Sequence, residues 1–209
     1  PEGFELIDWY RRRGVAATGE TCTHYLLLAE EDMERLGSRG KINPPLRPRA
    51  VQERLWKMLS DGVIDLVTSD HAPWPWELKN RPNIFDNASG APGVELLLPL
   101  LYSEGVARGR LSPVRLAQVL AENPARVFRL SHRKGRLAVG LDADLAILDP
   151  RSTWTVDPAE QHTSARWSPY EGLRVQGKVV KTIVRGKVVF DGAEVVGTPG
   201  SGAYIPAQV

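Results

Sequence analysis

The stretch Leu66-Val67-Thr68-Ser69-Asp70-His71-Ala72-Pro73-Trp74-Pro75 decides the fold. Together with Val63-Ile64-Asp65 before it, an apolar, β-branched run stops at Thr68-Ser69-Asp70-His71 and turns on two prolines. Such a run, bounded by breakers, predicts a strand buried on both faces. The strand ends by presenting an Asp and a His at its carboxyl edge. In barrels of parallel strands that edge is where chemistry sits, and an Asp there suits a metal ligand or a proton shuttle. The competing reading is an Asx-turn or helix N-cap, the usual fate of an Asp just after a strand.

Working outward, the upstream sequence alternates. Residues 2–13 predict a helix, with Phe4, Ile7 and Tyr10 on one face and Gly14 as its stop. Residues 15–22 read as a buried strand leading to Thr23-His24-Tyr25, and Glu30 to Leu36 as a short helix ended by Gly37. A proline-stiffened loop over 41–47 precedes a helix over 50–60, and the strand over 63–68 follows. Strand–helix–strand alternation implies a parallel sheet with right-handed crossovers.

Downstream, residues 71–93 form a long Pro-, Asn- and Gly-rich connection, and loops of that length are uncommon unless functional. Helices are expected over 94–106 and 113–123, the second with Ser112 as N-cap and Pro113 at its first position. A short helical turn continues through Phe128. The texture then changes to alternating strands, at 154–156, 177–184 and 187–190, with Arg185-Gly186 as a tight hairpin connection. These features place the α/β part at 1–132, a β-domain at 133–196 and a Gly/Pro tail at 197–209.

Of 209 residues, 42% are hydrophobic and 25% charged, as in an ordinary soluble globular protein. With 27 basic against 25 acidic residues, the net charge of +2 leaves no nucleic-acid footprint. No stretch approaches the roughly 20 apolar residues of a membrane span. The single cysteine, Cys22, rules out an internal disulfide and suits a reducing cytoplasm, the expected location. Zinc-finger spacing, a Gly-rich phosphate loop and a GxSxG elbow are all absent. The chain opens on Pro1-Glu2-Gly3 and runs at once into an amphipathic stretch, which reads as entry in mid-fold.

Six blocks in order carry a family pattern: ETCTHYLLL (20–28), KINPPLRP (41–48), DGVIDLVTSDHAPWP (61–75), ENPARVF (122–128), KGRLAVGLDADLAILDP (134–150) and SPYEGLRVQGKVVKTIVRGKVVFDG (168–192). Together they resemble the carboxyl-terminal half of a cyclic amidohydrolase of the dihydroorotase, allantoinase and hydantoinase group. The resemblance implies the last strands and helices of a (β/α)₈ TIM barrel, flanked by a small, β-sandwich-like composite β-domain. It also implies two zinc ions bridged by a carboxylated lysine. Of the family's metal ligands only the last-strand Asp maps here, to Asp70; the HxH pair, the lysine and two further histidines would lie before Pro1.

The resemblance makes Asp70 both metal ligand and catalytic proton shuttle. Adjacent side chains alternate along an extended chain, which gives His71 a supporting role rather than direct ligation. His24 receives a packing or hydrogen-bonding role, and His132 and His162 a place at the surface. Asn43 corresponds to a ring-binding Asn of dihydroorotases, while a pre-proline turn is its plain alternative. Trp74 stands where dihydroorotases usually carry a His that helps hold the substrate carboxylate, and a tryptophan offers only one N–H. It lines the substrate side on this reading, unless it and Trp76 simply cover the barrel mouth. Ala91 and Gly93 lie in the loop whose backbone touches substrate in relatives, and Asp144 is structural.

The expected activity is metal-dependent ring opening of a small cyclic amide, on the allantoinase or hydantoinase side. The alternatives are a dihydroorotase and a non-catalytic scaffold of the same fold. A homo-oligomer is expected, with neither nucleic acid nor membrane as partner. The 209 residues alone are expected to be inactive.

Overall fold

The computed structural model describes residues 1–208. The chain begins with helix α1 (Glu2–Arg11), then strand β1 (Glu20–Cys22), running directly into helix α2 (Thr23–Leu27). Helices α3 (Met33–Leu36) and α4 (Arg49–Ser60) lead to strand β2 (Leu66–Thr68). The connection after β2 holds a short helix, α5 (Trp76–Lys79), and is followed by α6 (Leu97–Leu101), α7 (Pro113–Ala117) and α8 (Asn123–Val127). Strands β3 (Leu145–Thr155), β4 (Arg174–Val184) and β5 (Lys187–Phe190) complete the order.

The strands β1 and β2 pair in parallel, Glu20 opposite Leu66 and Cys22 opposite Thr68, so both carboxyl ends open on the same edge. Helix α4 crosses between them, burying Gln52, Leu55, Trp56 and Leu59 at the spacing of one helical face. Its Trp56 indole donates to the Leu26 carbonyl at 2.8 Å, fixing α4 against α2. Both strands are shorter than the sequence predicts. Residues 15–18 lie outside the ladder, with Arg11 donating to the Ala17 carbonyl and the Val15 N–H to the Tyr10 carbonyl, while Gly19 bonds Asp65 just before β2. Val63 and Ile64 turn their N–H groups back to the Met58 carbonyl, closing α4 instead of opening β2.

The expected helix over 94–106 exists as a composite: a 3₁₀ turn at Val94–Leu96, α6, then a π turn at Tyr102–Ala107. The helix over 113–123 likewise carries a π turn at Gln118–Glu122 before α8. Its start is as expected, with Ser112 accepting from the Arg115 N–H at 3.0 Å and Pro113 following the cap. Helix α2 was not expected. Thr, His and Tyr favour strands, but burial of Thr23, His24 and Leu26 overrides that preference.

The β region is one three-stranded antiparallel sheet in the order β3-β4-β5, a single sheet rather than a sandwich within this chain. β3 is a continuous strand of 11 residues, longer than its sequence suggests, because an irregularity between Asp149 and Thr153 accommodates Pro150. Arg185 and Gly186, both at positive φ, make the tight hairpin between β4 and β5. The change of architecture near residue 132 does not separate two cores. Val156, Ala165, Trp167, Tyr170 and Val175 pack in one cluster with Leu28, Ile42, Ala91 and Leu100.

His132 departs from its expected place: its Nδ1 is buried without a partner. His162 is exposed and meets Glu95 at 2.9 Å. The tail returns to the body, where Gln208 donates to the Arg129 carbonyl; Val209 lies outside the described residues. Among the described residues no helix is long and apolar enough to cross a membrane.

Candidate active site

Asp70 stands two residues beyond β2 with φ of 45°, in the left-handed region that non-glycine residues seldom occupy. Such backbone strain concentrates at functional positions. Asp70 is exposed, and its carboxylate makes no hydrogen bond or ion pair with any described residue. Because β1 and β2 run in parallel, Asp70 meets the end of β1. Cys22, His24 and Asp70 each offer one metal-ligating atom, and these atoms lie within 4.8 Å of one another.

The two neighbours of Asp70 are electrically neutral. Burial pushes the Cys22 thiol up to about 11 and the His24 imidazole down to about 4. His24 is fully buried; its Nδ1 lies 2.7 Å from the Tyr170 hydroxyl, while Nε2 has no partner. An orphaned buried imidazole nitrogen beside a thiol and an unpaired carboxylate is a donor set of the type zinc accepts. The residues present therefore fit the ion the family pattern implies, with Asp70 as the charged donor.

His71 faces the long connection. Its Nδ1 accepts from the Gly93 and Val94 N–H groups at 3.1 and 3.2 Å, and His71 also forms an isolated parallel bridge with Ala91. Ala91 and Gly93, the loop residues expected on the substrate side, lie where this connection meets the strand end. Ala91 is buried and its carbonyl accepts from Ala72, while the Gly93 N–H is held by His71 and its carbonyl by Leu96. The Ala91 carbonyl and the Gly93 N–H thus stitch the loop to the strand end.

The exposed rim is built on a residue the sequence reading passed over. Asn43 donates through Nδ2 to the Ser89 hydroxyl at 2.9 Å, and the Trp74 indole donates to the Ser89 carbonyl at 2.9 Å. Trp74 in turn accepts at its own carbonyl from the Trp167 indole. A lone serine among small loop residues carries no sequence signal, since its role depends on two distant segments converging on it. A cavity of about 500 Å³ lies elsewhere, lined by Leu27, Arg35, Arg108 and Tyr170. Its acidic groups are matched by arginines, Asp32 with Arg49 and Glu104 with Arg108, so nothing there is poised for chemistry.

Residues 5–189 match the model of the Amidohydrolase family. The chain is 42% identical over 206 residues to an allantoinase of Rubrobacter xylanophilus, covering 99% of this chain and 45% of that protein. It is 43% identical over 195 residues to a dihydroorotase of Halobacterium salinarum, covering 92% and 43%. Among solved structures, L-hydantoinase (dihydropyrimidinase) from Arthrobacter aurescens superposes with a TM-score of 0.91 at 39% identity, over 94% of this chain and 44% of that one. The chain thus spans a little under half the length of these relatives, and its fold is the carboxyl-terminal part of their barrel with its β appendage. With the family model spanning residues 5–189, from α1 into the last hairpin, the chain belongs to the amidohydrolase family.

Proposed function

We propose that these residues form the last-strand side of the active site in a metal-dependent hydrolase that opens a neutral five-membered cyclic amide, of the allantoin or hydantoin type. The observation that carries this reading is Asp70: an unpaired carboxylate at a strand end, in a strained backbone conformation, beside a rim made by Asn43, Ser89 and Trp74.

Cyclic amides resist hydrolysis because water is a poor nucleophile and the amide nitrogen a poor leaving group. Zinc, when bound, supplies the acidified water and polarised carbonyl that such a reaction needs. Asp70 would hold the ion and move the proton. Its carboxylate takes a proton from the attacking water and returns it to the ring nitrogen as the C–N bond breaks. The product is an open chain carrying a new carboxylate and a freed N–H.

The rim supports a neutral ring over dihydroorotate. The one N–H of Trp74 is already engaged by the Ser89 carbonyl, so the side chain has no donor left for a substrate carboxylate. Asn43 favours the second reading, a dihydroorotase, because its Oδ1 has no partner among the described residues and suits the N–H of an imide. The complete enzyme is expected to be a homo-oligomer, and the isolated 209 residues to be inactive, since a single charged donor does not make a dinuclear site.

The test is a panel of allantoin, hydantoin, dihydrouracil and dihydroorotate, supplied to the complete polypeptide that carries these residues, with zinc and bicarbonate. We expect the highest kcat/KM with allantoin or hydantoin. Preference for dihydroorotate would instead make Asn43 the better guide. No turnover by a protein that binds no zinc would leave a scaffold of this fold.

A further inference from the structure

We propose that Lys79 is a positioning residue, a buried clamp that locks Lys41–Asn43 and Ala88–Gly93 into one rigid rim and aligns that rim with Asp70. This inference rests on the reading of the rim as the substrate side.

Lys79 lies in α5, in the middle of the Pro- and Asn-rich connection, where a lysine would ordinarily be solvated. Here it is fully buried. Its ammonium donates to the carbonyls of Lys41 at 2.7 Å, Ala88 at 3.0 Å and Gly90 at 2.7 Å. A lysine ammonium has three donors and no acceptor, so these three bonds satisfy it. No carboxylate takes part. The Trp167 ring lies 5.4 Å from Nζ on another side. Burial without a counter-ion pushes the ammonium down to about 8, with the Lys41 charge adding to the effect.

For filling space, a methionine would serve and would avoid the cost of desolvating a charge. What the ammonium adds is direction. Across a trans peptide the carbonyl of one residue and the N–H of the next point opposite ways. Drawing the Ala88 and Gly90 carbonyls onto Nζ therefore turns the Ser89 and Ala91 N–H groups away from it.

Ala91 then pairs with His71, directly beside Asp70, while Ser89 is left to receive Asn43 and Trp74. Gly90 sits between these two at φ of 108°, so close to Ala72 that an added Cβ would lie 2.6 Å from the Ala72 methyl. The Gly90 N–H also donates to the Lys41 carbonyl, the same oxygen that Lys79 holds. Lys41 reinforces the arrangement from outside, donating to the Phe85 and Asn87 carbonyls. Two segments whose contacting residues Asn43 and Ser89 lie 46 residues apart are thereby joined at one buried point, and that point is tied through Ala91 and His71 to the strand end.

The experiment compares wild type with Lys79→Met in the complete polypeptide, by amide hydrogen exchange and by steady-state kinetics on the best cyclic amide. We expect exchange over residues 88–94 to accelerate about tenfold or more while the α4 amides stay unchanged. We expect KM to rise about tenfold with kcat within about threefold and zinc content intact, the pattern of lost ground-state positioning. Unchanged exchange in the rim would overturn the clamp. Faster exchange with unchanged KM in an active enzyme would also overturn it, because Lys79 would then be structural only. If wild type turns over no cyclic amide while Lys79→Met still loosens the rim selectively, the clamp stands and the substrate reading falls. Should Lys79→Met not fold, Lys79→Gln keeps a shorter donor and is read in the same way.

Discussion

At the carboxyl edge of β1 and β2 a carboxylate, a thiol and an imidazole stand within 4.8 Å of one another, and among the described residues neither the Asp70 carboxylate nor His24 Nε2 has a partner. At the head of β3 the same chemical groups are handled in the opposite way. Asp142 accepts from Arg133 and Lys134, and Asp144 from Lys134 and the Arg185 N–H, so that every charge is answered locally. Both regions display aspartates beside a strand. The difference lies in whether the surrounding chain closes the network. A closed network contributes to stability and leaves nothing to offer a ligand; an open one holds donor groups in reserve at some cost to the fold.

Asp70→Asn should break this contrast most forcefully if it is wrong. In the complete enzyme, removing the proton shuttle should lower kcat/KM by about 10³-fold, within the range general acid–base groups command. Because the carboxylate has no protein partner here, thermal denaturation should shift little, by about 2 °C or less, as for a surface substitution away from packed features. A large fall in Tm with activity retained would mean that Asp70 is a structural turn residue after all.

How much of this was legible in the sequence depends on how local each feature is. The β2 strand end with Asp70, the Ser112–Pro113 helix start and the Arg185-Gly186 hairpin are all set by residues within one turn of one another. Their local conformation could be read directly. Helix α2 could not be read, because Thr23 and Tyr25 favour strands, the segment is only five residues long, and burial of Thr23, His24 and Leu26 decides its form. Ser89 and Lys79 were equally hidden. Nothing in WELK or NASG announces a buried ammonium, whose acceptors come from Lys41, Ala88 and Gly90. For Ala91 and Gly93, which of their polar groups stay free is a matter of pairing, which the sequence does not specify.

Tyr170 sharpens the comparison at the first of these regions. It arrives from the segment before β4 and places its hydroxyl 2.7 Å from His24 Nδ1 and 3.2 Å from Thr23 Oγ1, in a fully buried position. Tyr170→Phe would leave His24 with neither ring nitrogen partnered. Orphaning such a buried group should cost about 1–3 kcal/mol, measured as a lower urea midpoint with unchanged slope. If stability is unchanged, His24 has another partner and the edge is less open than described.

Asp144→Ala should have the smallest effect, and one confined to stability. Burial alone would raise the Asp144 carboxyl, but Lys134 and the Arg185 N–H outweigh it and hold the group below its usual 3.8; Lys134 and Arg133 do the same for Asp142. A carboxyl whose folded pKa is depressed stabilises the fold above its unfolded pKa, and that contribution is lost as pH falls through the folded value. The wild-type advantage over Asp144→Ala should therefore be complete at pH 6, about 1 kcal/mol given partial solvent screening. It should shrink progressively below pH 3.8. Urea midpoints at pH 6 and pH 3 give both values, and kcat/KM at pH 7.5 should match wild type. A fall in kcat/KM would show that the closed network reaches the strand end. The sheet that Asp144 precedes reaches that edge through Val175, which lies opposite Trp154 of β3 and packs in the same core cluster as Ala91.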